Sequence, residues 1–294
     1  MPVMKTTQTF FPFLASEYPP AEPEKAFFHI IPAPFESSVS YGGGTRLGPA
    51  ALLEASQQLE AWTSGHVSPG EAGFYTAPVV ACEGSAEAVL ARIENAVSRA
   101  LDCGAVPVLL GGEHTVTLGA LRALAVLGGA PFGIVQIDAH ADLRPEYEGN
   151  PLSHASVMHR AVADLHLPLA QFGTRDCCRE EAEVRRRYGV VWRDADDLAD
   201  NGLQGPLLPL NFPQDIYITF DVDGFDSALM PATGTPSPGG LFWHETRRLL
   251  ANVVSGRRIV GLDVVELAPI PGLHAPNFTA AKLAHHLMGL ALTG

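Results

Sequence analysis

The chain is poor in cysteine, poor in basic residues and free of long apolar runs. Four cysteines in 294 residues, Cys82, Cys103, Cys177 and Cys178, lack the spacing of a thiolate metal site and the density of a disulfide-stapled small domain. They suit a reducing, cytoplasmic setting, and the neighbours Cys177 and Cys178 read as ordinary thiols. Lysine and arginine number 19 against 32 aspartates and glutamates, a formal charge of −13. That balance disfavours nucleic acid and anionic membrane surfaces as partners and is compatible with a cationic substrate. No apolar stretch approaches the roughly 18–20 residues that a membrane-spanning helix needs. The apolar patch at 10–14 is broken by Pro12 and preceded only by Lys5, so a signal peptide is not expected. The triple glycine at 42–44 is not followed by Gly-Lys-Ser/Thr, which excludes a phosphate loop. It reads instead as an active-site turn, with Arg46 beside it as a structural or entrance residue.

What the chain does have is apolar residues, 47% of the total, in short runs. The runs at 27–35, 106–112, 132–140, 169–173, 190–192, 216–223 and 258–267 read as strands. The stretches 49–59, 85–101, 115–127, 180–188, 244–254 and 279–292 read as helices, the first with a proline in its opening turn. Strands that are apolar throughout and alternate with helices predict an α/β fold with a parallel sheet covered on both faces. Crossovers in such a sheet are right-handed. No repeat or linker divides the chain, so residues 1–25 are expected as an N-terminal arm and 26–294 as one domain. Ligands of such sheets sit beyond the carboxyl ends of the strands, and that is where the unusual polar residues fall.

The segment IVQIDAHAD runs into Asp138, His140 and Asp142, and ITFDVDGFD into Asp221 and Asp223. Residues two apart on extended backbone point to one side, so these side chains are expected to converge. A third segment, VLLGGEHTVTLG, places His114 behind a glycine turn at a helix start. Burying so many carboxylates uncompensated costs many kcal/mol or forces protonation, and few lysines or arginines lie near them in the sequence. A divalent cation is the economical compensation. Oxygen-rich ligation with two imidazoles and no thiolate favours a hard ion such as Mn²⁺ over Zn²⁺. Six ligands suit two ions about 3.5–4 Å apart that share carboxylates. A water held between two cations loses a proton near neutral pH, which makes a hydrolase the leading class.

In residue type and order, GGEHTVTLG, DAHADLR, SHASVM, FDVDGFD and GLDVVEL resemble the ureohydrolase family, the arginase and agmatinase group. PFESSVSYGGGTRLGPAALLEAS resembles that family's N-terminal loop and helix, so the likeness runs from about Pro32 to the C-terminus. It implies a three-layer α/β/α, arginase-like fold with a mostly parallel, roughly eight-stranded sheet. It further implies two Mn²⁺ per subunit and a homo-oligomer, a trimer or hexamer. By position, the first ion would take His114, Asp138, Asp142 and Asp221, and the second Asp138, His140, Asp221 and Asp223. Asp138 and Asp221 would then bridge. His154 matches the family histidine that shuttles a proton or acts as general acid, although the family's His-Gly pair is His154-Ala155 here. Glu266 matches the glutamate that holds the guanidinium, a planar cation able to give a carboxylate two parallel N–H bonds. The implied reaction releases urea and an amine, and the amine leaves only once protonated.

Leu143 and Arg144 stand where arginases carry an asparagine that helps read the amino-acid end of arginine, so agmatine is the first expected substrate. Guanidino acids, aminopropylagmatine and arginine are the alternatives. Arg144 reads either as a carboxylate anchor or as a solvated or ion-paired arginine. Two other classes stay open, a single-zinc amide hydrolase of the same fold and a non-catalytic metal-binding relative. The remaining histidines singled out, His66, His159, His166, His244, His274, His285 and His286, lack ligand spacing and read as ordinary.

Overall fold

Backbone N–H and C=O groups in a wholly apolar run must find partners in neighbouring strands, because neither face of the run can meet water. In the computed structural model, which describes residues 10–63 and 67–293, the apolar runs do this as one sheet. Its strands are β1 (Phe28–Ala33), β2 (Phe74–Thr76), β3 (Val106–Gly111), β4 (Phe132–Ile137), β5 (Leu169–Phe172), β6 (Val191–Arg193), β7 (Asp215–Asp221) and β8 (Arg258–Val265). The order is β2-β1-β3-β8-β7-β4-β5-β6, and every neighbouring pair is parallel. The expectation of a mostly parallel sheet is therefore met by a wholly parallel one among the described residues.

The helices are α1 (Gly48–Ser56), α2 (Ala86–Asp102), α3 (Thr117–Leu127), α4 (Val157–Ala163), α5 (Arg179–Tyr188), α6 (Ala195–Asn201), α7 (Trp243–Val254) and α8 (Ala275–Thr293). Two apolar clusters, one on each side of the sheet, make three layers. One is built with α1, α7 and α8, the other with α2, α3 and α4. Local signals account for several boundaries. The Ser85 hydroxyl accepts the Ala88 amide and so caps α2. Gly189, at φ 64°, ends α5 in the left-handed region. Sequence reading missed the three-residue β2 and the seven-residue helices α4 and α6, which are too short to show a period. No helix among the described residues is long and apolar enough to cross a membrane.

Within the stretch expected as an arm, Phe13 and Leu14 pack into the domain. Both are buried, the Phe13 amide donates to Thr76 Oγ1 (2.9 Å), and the Leu14 amide donates to Ser56 Oγ (3.0 Å). The Phe13 ring meets Phe74 edge-on, and the same ring faces His285 of α8.

The strand order positions the site. β3 and β4 follow one another in the chain, yet β8 and β7 lie between them. The carboxyl ends of β3, β8, β7 and β4 therefore stand side by side at the place where the order reverses, the usual ligand position in open parallel sheets.

Two buried histidines of α8 carry a pH consequence. Nε2 of both His285 and His286 has no hydrogen-bond partner. Burial, with His286 and Lys282 beside one ring and Arg247 beside the other, pushes both imidazoles down to about 4. A histidine whose folded pKa lies below its unfolded value stays neutral in the fold while the unfolded chain binds a proton. Stability should therefore fall as pH drops from about 6.5 towards about 4. Denaturation of a His285→Leu/His286→Leu variant should show a shallower decline over that window. A decline as steep as in the unsubstituted chain would remove these residues as its source.

Candidate metal centre

Each strand end reaches the site through a turn that the local sequence imposes. After β3, Gly112 passes so close to β1's exit that a Cβ there would lie 1.9 Å from the Phe35 carbonyl oxygen. Only glycine fits. The Glu113 amide then donates to that same carbonyl (2.8 Å), and His114 opens a single 3-10 turn before α3. After β8, the Glu266 amide donates to the Gly112 carbonyl (2.9 Å), tying the two exits together. After β7, the Asp221 side chain accepts the Asp223 amide (2.9 Å) and caps the turn 222–224.

The extended alternation expected for Asp138, His140 and Asp142 does not occur. β4 stops at Ile137, and the chain curls. Asp138 Oδ1 accepts the His140 amide at 2.6 Å, an Asx-type turn. Asp142 adopts a left-handed φ of 51°. Asp223 likewise sits in a 3-10 turn, not on strand β7. The side chains converge because carboxylates hold the loop amides, and not because of strand pleating. Glu266, at φ 65°, is the second acidic residue of the site in the left-handed region. Such a backbone costs a non-glycine residue on the order of 1–3 kcal/mol and persists only where its surroundings hold it.

Six side chains singled out from the sequence are brought together here. His114, Asp138 and Asp221 form one group of donor atoms within 4.8 Å of one another, and Asp138, His140 and Asp223 form another. His114 Nδ1 lies 3.1 Å from Asp138 Oδ2, 2.9 Å from Asp142 Oδ2 and 3.4 Å from Asp221 Oδ2. His140 Nδ1 lies 3.0 Å from Asp223 Oδ2 and 3.6 Å from Asp138 Oδ1. The two oxygens of Asp138 thus face different histidines. About 3 Å is also the edge of an octahedron whose ligands lie about 2.1 Å from a central cation.

The histidine tautomers follow from the hydrogen bonds. Thr219 Oγ1 donates to Asp263 Oδ1 (2.7 Å) and is 2.8 Å from His114 Nε2. A hydroxyl has one proton, so at this second contact it accepts, and Nε2 carries the hydrogen. In the neutral ring Nδ1 is then a lone pair, buried and without a hydrogen-bond partner of good geometry, aimed among three carboxylates. That is the arrangement of a ligating imidazole with its other nitrogen anchored. Burial alone would depress the His114 pKa, but Asp138, Asp142 and Asp221 outweigh it and raise it well above the ordinary range. A cation could take the place of that proton at this donor set.

The carboxylates respond to their crowding. Burial and the charge of Asp138 push Asp142 up to about 7, and burial with Asp223 and Asp138 raises Asp221 well above the usual carboxylate range. Burial would raise Asp138 too, yet contacts with His114 and His140 hold it below the usual carboxylate range. Among the described residues no lysine or arginine forms an ion pair with these aspartates. The donor set therefore suits hard divalent cations, for which it offers both charge and geometry.

Next to the aspartates opens a cleft of about 370 Å³ whose wall includes His140, Asp142, His154, Arg144, Tyr147, Asp176 and Cys178. A narrower inner chamber is walled by Glu113, His154, Asp221, Asp223 and Glu266 among others. Glu113, missed from the sequence, is 1% exposed. It accepts the Ser37 amide (2.6 Å), the Ser38 amide (2.7 Å) and the Ser38 hydroxyl (2.9 Å). Ser38 Oγ, its proton given to Glu113, accepts from His154 Nδ1 at 3.0 Å. This leaves His154 Nε2 as the free nitrogen, and burial keeps the ring's pKa below its ordinary value. Glu266 Oε1 accepts the His114 amide at 2.6 Å. Burial and the neighbouring charge of Glu113 raise the Glu266 carboxyl well above the usual range.

Other residues fall where their surroundings dictate. Gly44 has a φ of 120°, and Gly42 donates its amide to the Gly234 carbonyl (3.0 Å), so the triple glycine does form a turn at the inner chamber. Arg46 makes an exposed ion pair with Glu36. Arg144 stacks over Tyr147 (5.6 Å) in the cleft wall, and none of the carboxylates paired with an arginine or lysine among the described residues is its partner. All four cysteines are free thiols, with Cys177 and Cys178 in the cleft wall. His159, His166, His244, His274, His285 and His286 stand outside both chambers, and His66 lies outside the described residues.

Residues 26–289 match the family model of the arginase family. An N(1)-aminopropylagmatine ureohydrolase of Synechocystis sp. is 36% identical over 268 residues, covering 88% of this chain and 87% of that one. An agmatinase of Pyrococcus horikoshii is 30% identical over 281 residues, covering 94% and 95%. The crystal structure of an agmatine ureohydrolase of Thermoplasma volcanium superposes with a TM-score of 0.82 at 29% identity, covering 97% and 95%.

Removing the anchor of His114 tests the tautomer assignment. Thr219→Val leaves a buried N–H without an acceptor, which costs about 1–3 kcal/mol. Chemical denaturation of the metal-free chain should show that loss, and unchanged stability would mean that Nε2 does not depend on Thr219.

Proposed function

The chain belongs to the arginase family, and we propose that it hydrolyses agmatine to urea and putrescine with two Mn²⁺ held per subunit. One observation carries the dinuclear reading. Asp138 turns Oδ2 towards His114 and Oδ1 towards His140, as a carboxylate shared between two cations would. His114, Asp138, Asp142 and Asp221 are the proposed holders of the first ion. Asp138, His140, Asp221 and Asp223 are those of the second. A single-zinc site would leave half of these donors without purpose. When bound, the ion pair supplies an activated water nucleophile and neutralises the aspartates.

The remaining steps belong to the chain's own groups. Glu266, fixed by the His114 amide, accepts guanidinium N–H groups, and the arriving cation favours its ionised form. That places the trigonal carbon in the inner chamber beside the aspartates. His154, held through Nδ1 by Ser38 and neutral at rest, takes up a proton at Nε2 and hands it to the departing amine. Glu113, through Ser37 and Ser38, keeps this histidine in place.

Two further substrates have specific support. Relatives of 36–37% identity named as N(1)-aminopropylagmatine ureohydrolases favour that longer amine. Arg144, in the cleft wall without a carboxylate partner, would suit a guanidino acid such as guanidinobutyrate. On the same family footing we place the enzyme in the cytoplasm as a homo-oligomer, a trimer or hexamer.

Urea release with Mn²⁺ from agmatine, aminopropylagmatine, guanidinobutyrate and arginine tests the assignment, and agmatine should give the highest kcat/KM. No urea from any of them, with metal bound, would instead indicate a non-catalytic relative. Asp138→Ala and Asp221→Ala should each abolish turnover and most metal binding, and near-normal turnover in either contradicts a shared carboxylate. His154→Ala should retain both ions while turnover slows by roughly 10²–10⁴-fold. Loss of metal in that variant would make His154 a ligand.

A further inference from the structure

A row of buried polar side chains runs under the sheet from the metal centre to the opposite edge. Gln136 on β4 and Gln171 on β5 are cross-strand neighbours, and Trp192 on β6 follows in register. Both glutamines are fully buried, at 0% and 1% exposure, in a largely apolar layer. Arg185 of α5, 3% exposed, lies over the end of the row, its guanidinium 5.7 Å from the Trp192 ring centre. Arg185 Nε donates to Gln171 Oε1 (2.7 Å), Gln171 Nε2 to Gln136 Oε1 (2.5 Å), and Gln136 Nε2 to Asp138 Oδ2 (2.7 Å). The outer end is an ion pair between Arg185 NH1 and Asp194 (2.8 Å).

The polarity of this row is not free. A guanidinium has only donors, so Gln171 must turn its oxygen towards Arg185. Its amide nitrogen then faces Gln136, whose oxygen must accept, and the Gln136 nitrogen is left for Asp138. A second bond from Gln171 Nε2 to the Ala141 carbonyl (2.7 Å) locks the same orientation. An apolar layer tolerates the two glutamine amides because their oxygens and nitrogens are paired, an unpaired buried amide being costly, while NH2 of Arg185 has no partner.

We propose that Arg185, Gln171 and Gln136 form a positioning relay that sets the orientation of the Asp138 carboxylate. With Oδ2 bonded to Gln136 and Oδ1 bonded to the His140 amide (2.6 Å), the carboxylate cannot rotate. One oxygen is thereby kept towards His114 and the other towards His140. Without the guanidinium only the Ala141 carbonyl still opposes a flip of both amides, and a flip would turn the Gln136 oxygen on Asp138 and repel it. The three residues touch no reacting atom, and they act through Asp138 and the loop behind it, where the Gln136 and Gln171 amides also meet the His140 and Ala141 carbonyls. This inference rests on the dinuclear reading above.

The test is calorimetric titration of the metal-depleted full chain with Mn²⁺, together with melting of the same metal-free samples. Arg185→Met, an apolar replacement of similar length, should weaken binding of at least one ion by roughly 10–100-fold, the usual effect of losing a group behind a ligand. Arg185→Lys, which keeps a donor for Gln171, should restore much of the affinity. Gln136→Leu should weaken binding in the same way, and it provides the reading if Arg185→Met does not fold, because Gln171 retains the Ala141 carbonyl. Two ions in the unsubstituted chain and undiminished affinity in the variants, with only a lower melting point, would overturn the relay and leave the dinuclear centre intact. Fewer than two ions in the unsubstituted chain would overturn both.

Discussion

Four aspartates and two glutamates share one buried space with three imidazoles, and the need to hold that negative charge shapes everything around it. Five of the six carboxylates are steadied by a backbone amide, and the sixth, Asp142, meets His114 Nδ1. Asp138 takes the amide of His140, Asp221 that of Asp223, Asp223 that of Ala139, Glu266 that of His114, and Glu113 those of Ser37 and Ser38. The loops beyond the strands are consequently organised by the acids they carry. Left-handed backbone is held at Glu266 by the His114 amide on its carboxylate, and at Asp142 by the Met158 and His159 amides on its carbonyl.

Amide donors steady the carboxylates without neutralising them. Proton uptake is one answer, visible in the raised Asp142, Asp221 and Glu266. Divalent cations are the other, and the anchored Nδ1 lone pair of His114 marks where one belongs. Beneath the acids, Thr219, Asp263, Gln136 and Gln171 hold the ligands from the α2–α5 side of the sheet. The opposite side is packed with apolar residues. The sheet is thus dry on one face and selectively polar on the other, only where that polarity reaches the site.

Much of this was legible before the fold was known. Runs such as 132–140 and 216–223 read as buried strands, and the acidic residues at their ends pointed to metal. Other features had no sequence signal. The alternation argument expected these side chains to converge for the wrong reason, since β4 ends at Ile137 and the Asp138 turn delivers His140 and Asp142. Glu113 was hidden by its own neighbour His114, because a glutamate beside a histidine reads as either ligand or surface residue until its partners, about 75 residues away in the chain, are known. Gln136 and Gln171 gave no hint, as a single glutamine in a strand declares nothing about the amide opposite it. Such pairings depend on strand order, and the placement of β8 and β7 between β3 and β4 is written in no local pattern.

That placement also dictates when the enzyme can come into being. Synthesis proceeds from the amino terminus, so β1 to β3 and β4 to β6 emerge while the two central strands are still missing. Until β7 and β8 arrive, β3 and β4 are open edges, the kind of surface that invites pairing with other chains. His114 and Asp138 meanwhile belong to separate fragments that share no hydrogen-bonded strand. A nascent or truncated chain therefore owns neither a completed sheet nor a place for metal, and maturation is withheld until the last quarter of the polypeptide has been made.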